Sequence, residues 1–201
     1  MKKICVFTGT RAEYGLLSNL VIQLEKEKRV NLTLLVSGTH LAKSFGQTIN
    51  EINKTFKGKI KKISLPFDKG LSIASLTAIA LTKYSTYLEK NNFDLVFILG
   101  DRYESFAMAS AAFLLRVPIA HIHGGETTLG AFDNELRHSI THMSKFHFVS
   151  NKEHLTKVIK LGAAKENCLI SGPMVIDNLN SSEEISRAYF ETETGYVFGE
   201  K

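Results

Sequence analysis

Short apolar runs alternate with longer segments of helical periodicity along most of this chain, and no other feature restricts its fold as much. Strand-like runs lie at Ile4–Thr8, Leu32–Val36, Ile60–Leu65, Leu95–Leu99, Val117–Ile122, Phe146–Val149 and Cys168–Ser171. The central ones are continuously apolar, as parallel strands covered on both faces must be. Helical patterns fill the gaps at Leu16–Lys28, Ala42–Lys54, Ser72–Lys90, Glu104–Leu115, Asn134–Lys145 and Glu153–Leu161. The last has a Ser150-x-x-Glu153 capping box before it and Gly162 after it. This alternation predicts an α/β fold, a doubly wound parallel sheet with right-handed crossovers. After Asp177 the rhythm fails, and residues 181–201 offer only a helical hint over Ser182–Phe190. That stretch is expected to be a weakly ordered terminus.

Four groups of reactive residues each follow a strand-like run: Thr8-Gly-Thr-Arg-Ala-Glu-Tyr14, Ser37-Gly-Thr-His40, Gly100-Asp-Arg-Tyr-Glu104 and His121-Ile-His-Gly-Gly-Glu126. Neighbouring parallel strands would bring all four to one sheet edge, the edge where open α/β folds bind ligands. Packing alone does not explain such convergence.

Charge narrows the ligand class. The net charge is +5, divided into about +8 over residues 1–180 and about −3 over residues 181–201, which hold two basic and five acidic residues. A basic body suits a small anion such as a nucleotide diphosphate. Nucleic acid is not expected, because the lysines are scattered and no aromatic-basic stripe appears. No membrane span is expected, since no apolar run approaches the roughly 20 residues needed. The start, Met1-Lys-Lys-Ile-Cys-Val-Phe, reads as a first strand and not as a signal peptide. Cys5 and Cys168 sit in strand-like runs without metal spacing, so buried reduced thiols and a cytoplasmic location are expected.

Within the first group, the backbone amides of Gly9 and Thr10 open a helix and can face an anion, with Arg11 adding charge. A surface ion pair of Arg11 with Glu13 is the alternative. The group is not G-x-G-x-x-G, and no acidic residue ends the second strand, so NAD is not expected. Asp101 suits a base or a ligand clamp, or it simply caps the following helix. Glu104 reads as the first-turn acidic residue of that helix. Strand alternation would put His121 and His123 on one side. Asp133 and Arg137 are four residues apart and share a helical face. Carboxylates, imidazoles and a guanidinium around one mouth form an acid–base set. His138 and His142 share the same spacing, but Arg137 and Ser139 flank His138 where zinc sites carry glutamate, so no metal is expected.

Taken in series, Thr-Arg-Ala-Glu-Tyr (10–14), Gly-Thr-His-Leu (38–41), Gly-Asp-Arg-Tyr-Glu (100–104), His-Ile-His-Gly-Gly-Glu (121–126), Asp-Asn-x-x-Arg-His (133–138) and Ser-Gly-Pro-x-x-x-Asp (171–177) resemble the hydrolysing UDP-N-acetylglucosamine 2-epimerases. The resemblance covers residues 1 to about 180 and fits branches that make sialic or legionaminic acid precursors. It implies that UDP leaves the anomeric carbon and the C2 proton is removed, giving a 2-acetamidoglycal. Water then adds at C1 while C2 is reprotonated from the opposite face. Such a reaction uses carboxylates on both faces of the ring and cations for the departing diphosphate, with no cofactor. By motif match the resemblance places Asp101 and Asp133 on the family's carboxylate positions, Arg137 on its arginine and Arg11 on its N-terminal arginine near the substrate. Together with His123 and Glu126, the first three are the expected catalytic set, and Gly9, Thr10, His40, Arg102 and His121 are expected to bind substrate with Arg11. Some relatives carry glutamate where this chain has His123, so either His123 or Glu126 supplies the acid–base group.

The resemblance also implies a two-domain, glycosyltransferase-B-type architecture with the substrate between the domains. Residues 1–180 correspond to its Rossmann-like N-terminal domain, with 181–201 an acidic tail or the start of a linker and the second domain largely missing. Low turnover of the chain alone is therefore expected; a homo-oligomer is compatible with the resemblance, since larger relatives commonly associate, and the sequence leaves the oligomeric state open. A non-catalytic nucleotide-sugar binding or interaction domain and a metal-dependent hydrolase are the alternative readings.

Overall fold

The computed structural model describes residues 1–128, 132–181, 186–197 and 199. Seven strands form one sheet: β1 (Lys2–Thr8), β2 (Val30–Val36), β3 (Ile60–Lys62), β4 (Leu95–Leu99), β5 (Ile119–Ile122), β6 (Phe146–Val149) and β7 (Cys168–Ile170). Their order is β3-β2-β1-β4-β5-β6-β7, and every neighbouring pair is parallel. The order reverses between β1 and β4, so a crevice opens there at the carboxyl ends of the strands. The expected doubly wound α/β sheet is present.

Eight α-helices accompany the strands among the described residues: α1 (Arg11–Lys26), α2 (Ile49–Thr55), α3 (Ile73–Glu89), α4 (Tyr103–Leu114), α5 (Asp133–Met143), α6 (Lys152–Lys160), α7 (Met174–Ser181) and α8 (Arg187–Thr194). Alternate residues of each central strand feed two cores. Phe7, Leu35, Val96, Ile98 and Ile119 pack with α3, α4 and Ile140 of α5. Val6, Leu34, Phe97, Ala120 and Ile122 pack with α1, α2 and Met174 of α7. Two-sided burial is why these strands are apolar at most positions, and β4 at all of them.

Three sequence expectations need correction. The segment 42–54 is not one helix. Gly46 (φ 79°) and Gln47 (φ 49°) turn left-handed, leaving two short 3-10 turns, Gly38–Leu41 and Lys43–Phe45, before the brief α2. The cap of α6 is Asn151, which accepts from the His154 amide (2.9 Å), and Ser150 instead turns its hydroxyl to Glu126. Beyond Gly172-Pro173 the chain forms α7, which docks on α1 through Asn178 Nδ2 donating to the Gly15 carbonyl (2.6 Å). The helical hint at 182–190 begins in residues outside the described ones, and α8 follows from Arg187. Cys5 is buried and Cys168 half-buried, both as free thiols.

Candidate active site

At the end of β1, Thr10 caps α1 and Glu13 folds back in a capping box. Glu13 Oε2 accepts from the amides of Gly9 (2.6 Å) and Thr10 (3.0 Å), and its Oε1 accepts from Ser105 of α4 (3.1 Å). The anion held by these amides is therefore internal. Burial pushes the Glu13 carboxyl up to about 7, against the pull of the Gly9 amide. Arg11 points away, with its side chain 74% exposed and paired with Glu51 (2.9 Å), not with Glu13. Arg102 bonds Glu104 (3.3 Å), and Glu104 is fully buried, more enclosed than a first-turn surface residue.

The second group joins the first through bare backbone. Thr39 Oγ1 donates to the Gly9 carbonyl (3.2 Å), and Gly38 (φ 58°) approaches so closely that a Cβ there would lie 2.4 Å from the Gly9 oxygen. His40 is buried, with Nε2 against Thr8 Oγ1 (3.0 Å) and Nδ1 against Thr48 Oγ1 (2.7 Å). Burial lowers its pKa to about 4. His121 is likewise enclosed: Nε2 donates to the Gly100 carbonyl (2.8 Å) and Nδ1 lies 3.2 Å from Thr141 Oγ1. Burial takes it down to about 3. Both rings are neutral struts holding strand ends together.

The polar centre lies at the mouth of β4 and β5. Arg137, on α5 and only 8% exposed, pairs through Nη2 with Asp101 and through Nη1 with Glu126 (3.4 Å). Nη1 also donates to the His123 carbonyl (2.9 Å), and Nη2 to Thr128 Oγ1 (3.1 Å). Asp101 is thus an ion-pair partner; the cap position of α4 is Arg102, whose side chain makes no capping bond. Glu126 Oε1 takes the Ser150 hydroxyl and lies 3.5 Å from His123 Nδ1 and 3.9 Å from His154 Nδ1. His123 has φ 63°, so the strand alternation stops at Ile122 and its ring departs from that of His121. It reaches α7, where the Met174 amide donates to Nε2 (3.3 Å). Burial is the largest cause lowering the His123 pKa; Glu126 opposes it and Arg137 reinforces it.

Asp101, His123, Glu126 and Arg137 therefore meet. Asp133 opens α5 one turn before Arg137, half-buried, with no side-chain hydrogen bond or ion pair among the described residues. Arg11 lies outside the cluster's bonds. Sequence reasoning missed Thr128, Ser150 and His154; Ser150 ends β6, so the rule that found the other groups would have found it. Among the described residues no group of three or more His, Cys, Asp or Glu could hold a metal ion. A cavity of about 580 Å³ lies on the α1 and α7 side, with Leu20, Phe97, Ile122, Phe148 and Met174 as its apolar wall and Asn19, Gln23, Ser171 and Asp177 as its polar one; Met174, whose amide meets His123, joins it to the charged groups.

Comparison with known proteins bears on this arrangement. Residues 22–197 match the family UDP-N-acetylglucosamine 2-epimerase. The chain is 38% identical over 183 residues to the GDP/UDP-N,N'-diacetylbacillosamine 2-epimerase (hydrolyzing) of Campylobacter jejuni, covering 89% of this chain and 48% of that protein. It is 32% identical over 200 residues to the UDP-N,N'-diacetylbacillosamine 2-epimerase (hydrolyzing) of Legionella pneumophila, covering 98% and 52%. In fold it is similar to the UDP-GlcNAc 2-epimerase of Neisseria meningitidis bound to UDP-GlcNAc (TM-score 0.78, 22% identity, 97% of this chain and 51% of that one). The chain spans about half the length of the curated relatives it matches. The family match over most of the sequence, joined to the ordered motifs at the strand ends, means that this chain belongs to the UDP-N-acetylglucosamine 2-epimerase family.

Proposed function

We propose that this chain carries the acid–base half of a hydrolysing 2-epimerase acting on a UDP-linked acetamido sugar, UDP-N-acetylglucosamine or its 2,4-diacetamido-trideoxy analogue. The observation that carries the reading is the cluster of Asp101, Glu126 and His123 around Arg137 at the mouth of the sheet. The hydrolysing activity named for the Campylobacter and Legionella proteins supports the water-adding outcome.

In this reading Asp101 and Asp133 serve the two faces of the sugar ring as proton acceptor and donor at C2, because Asp133 has no competing partner among the described residues. Arg137 fixes Asp101 by a charge-assisted hydrogen bond. Arg102 and Arg11, both partly exposed, are the cations available to the departing diphosphate. UDP leaves from C1, the C2 proton goes to a carboxylate, and water then adds at C1 as C2 is reprotonated from the other side. In the same reading residues 1–180 correspond to the sugar-facing domain and 181–201 to an acidic tail or the start of a linker. The free thiols support a cytoplasmic location.

The span of about half the relatives' length favours a second reading, a nucleotide-sugar binding domain without turnover of its own. Incubating the chain with both UDP sugars in heavy-oxygen water separates the two. The epimerase reading expects free UDP and label at C1 of a manno sugar, slower than from a two-domain relative because half a cleft excludes little water. Intact UDP-sugar product would overturn the hydrolytic step. Binding without UDP release would favour the second reading, and equal rates would refute the need for a partner domain. Sedimentation tests the self-association that belongs to the same reading.

A further inference from the structure

Glu126 meets four side chains of the site, and these partners imply a different task from proton donation. Ser150 donates its hydroxyl to Oε1, Arg137 Nη1 approaches Oε2, and two imidazoles face Oε1 through their Nδ1 atoms, His123 at 3.5 Å and His154 at 3.9 Å. His154 Nδ1 is buried and has no hydrogen-bond partner within bonding distance. The loop cannot drift from these partners easily. Gly125 (φ 78°) presses on α6 so closely that a Cβ there would lie 2.6 Å from the His154 carbonyl oxygen.

The tautomer of His123 follows from its other contact. A backbone amide can only donate, and the Met174 amide points at His123 Nε2 (3.3 Å), so that nitrogen is the acceptor. A neutral imidazole then carries its proton on Nδ1, facing the carboxylate.

We propose that Glu126 is a positioning residue, held by Ser150 and Arg137 and faced by His154, which keeps the proton of His123 on Nδ1 and so makes Nε2 the basic nitrogen presented to substrate. The assignment rests on reading the site as an acid–base centre, and it decides between His123 and Glu126 in favour of His123. It adds Ser150 and His154 to the working residues. A substrate that uses Nε2 must first displace the Met174 amide, so the start of α7 guards the base.

The test is a long-range proton–nitrogen correlation spectrum of the nitrogen-labelled 201-residue chain at neutral pH, with a His123→Asn sample identifying the ring signals. The expected result is one His123 species with a protonated Nδ1 and a bare Nε2; a proton on Nε2, or averaged signals, overturns the proposal. Ser150→Ala is expected to yield averaged His123 signals, and an unchanged spectrum would remove Ser150 from the role. The charged and titratable groups facing His123 are Glu126, Arg137 and His154; burial is the largest cause depressing its titration, and His154 adds to it. His154→Phe should therefore move the His123 midpoint upward, and an unmoved midpoint would exclude His154. Circular dichroism checks that each variant is folded, and the wild-type spectrum decides the tautomer even where a variant is not. None of these readouts needs turnover. Absence of UDP release leaves the tautomer result standing, and the wrong tautomer refutes this assignment with the reaction intact.

Discussion

Two carboxylate sites lie at carboxyl ends of strands in one sheet, yet they are built in opposite ways. Beside β1, Glu13 answers the amides of its own helix start, a contact across three or four residues. At the mouth of β5, Glu126 and Asp101 are answered by Arg137 from α5, Ser150 from beyond β6 and His123 from the loop between. The first is closed mainly by local chemistry, with Ser105 of α4 adding one bond to the other carboxylate oxygen. The second exists only when β4, β5, β6 and α5 are all in place. A self-satisfied helix start is a structural joint, whereas groups gathered from distant elements are where a reaction can be staged.

The largest test of that contrast is Arg137→Met. It strips the shared cation from Asp101 and Glu126 and should cost about 3–5 kcal/mol in urea unfolding, as loss of one partner from a buried ion pair does. A cost near zero would mean the mouth is wetter and looser than described.

Proton uptake offers a second test, because the groups have opposite signs. His40 and His121 are depressed to about 4 and about 3 by burial, so the unfolded chain binds protons below about 6.5 that the folded chain refuses. Their contribution is complete above that pH and is lost as the pH falls toward 4 and 3. Glu13 is raised to about 7, so its contribution is complete below about 4.5 and is lost as the pH rises through 7. Between about 4.5 and 6.5 these two histidines outweigh one carboxyl, and His123, His138 and His147 are lowered in the same direction, so stability should rise with pH by at least about 1.4 kcal/mol per unit. Glu13→Gln should steepen that rise and abolish the decline toward pH 7. Denaturant midpoints measured against pH check both, and a slope of the opposite sign would reverse the assignment.

A smaller effect, about 1–3 kcal/mol, is expected of Gly125→Ala, which combines a left-handed backbone with a clash against α6. The smallest is Thr10→Ala. It removes one cap from α1 and should cost about 1 kcal/mol in the same assay, without disturbing the spectrum of His123.

Legibility followed the same division. Leu95–Leu99 was readable to the residue, since burial on both faces leaves apolar positions without a break, and the bounds of Phe146–Val149 were readable despite His147. The capping box Thr10-x-x-Glu13 is written in the sequence as well, in the same residues that make the helix start look open to an anion. The broken segment after β2 was not readable, because Gln47 gives no local sign that it will turn left-handed. Asp101, Glu126 and Arg137 could be recognised as a group, but their pairing could not: it depends on where α5 lands on the sheet. His154 and Thr128 were invisible for the same reason. One needs α6 beside the glycine loop, and the other needs that loop folded toward β4.

The two margins of the sheet differ in kind. On β3, Lys61 and Lys62 are exposed beside unpaired backbone, and their charge discourages another chain from adding a strand. On β7, Leu169 and Ile170 are 57% and 41% exposed at the opposite margin. A stray extended peptide, or a second molecule at high concentration, would find its easiest lodging there, so a concentrated sample should begin to polymerise from the β7 side.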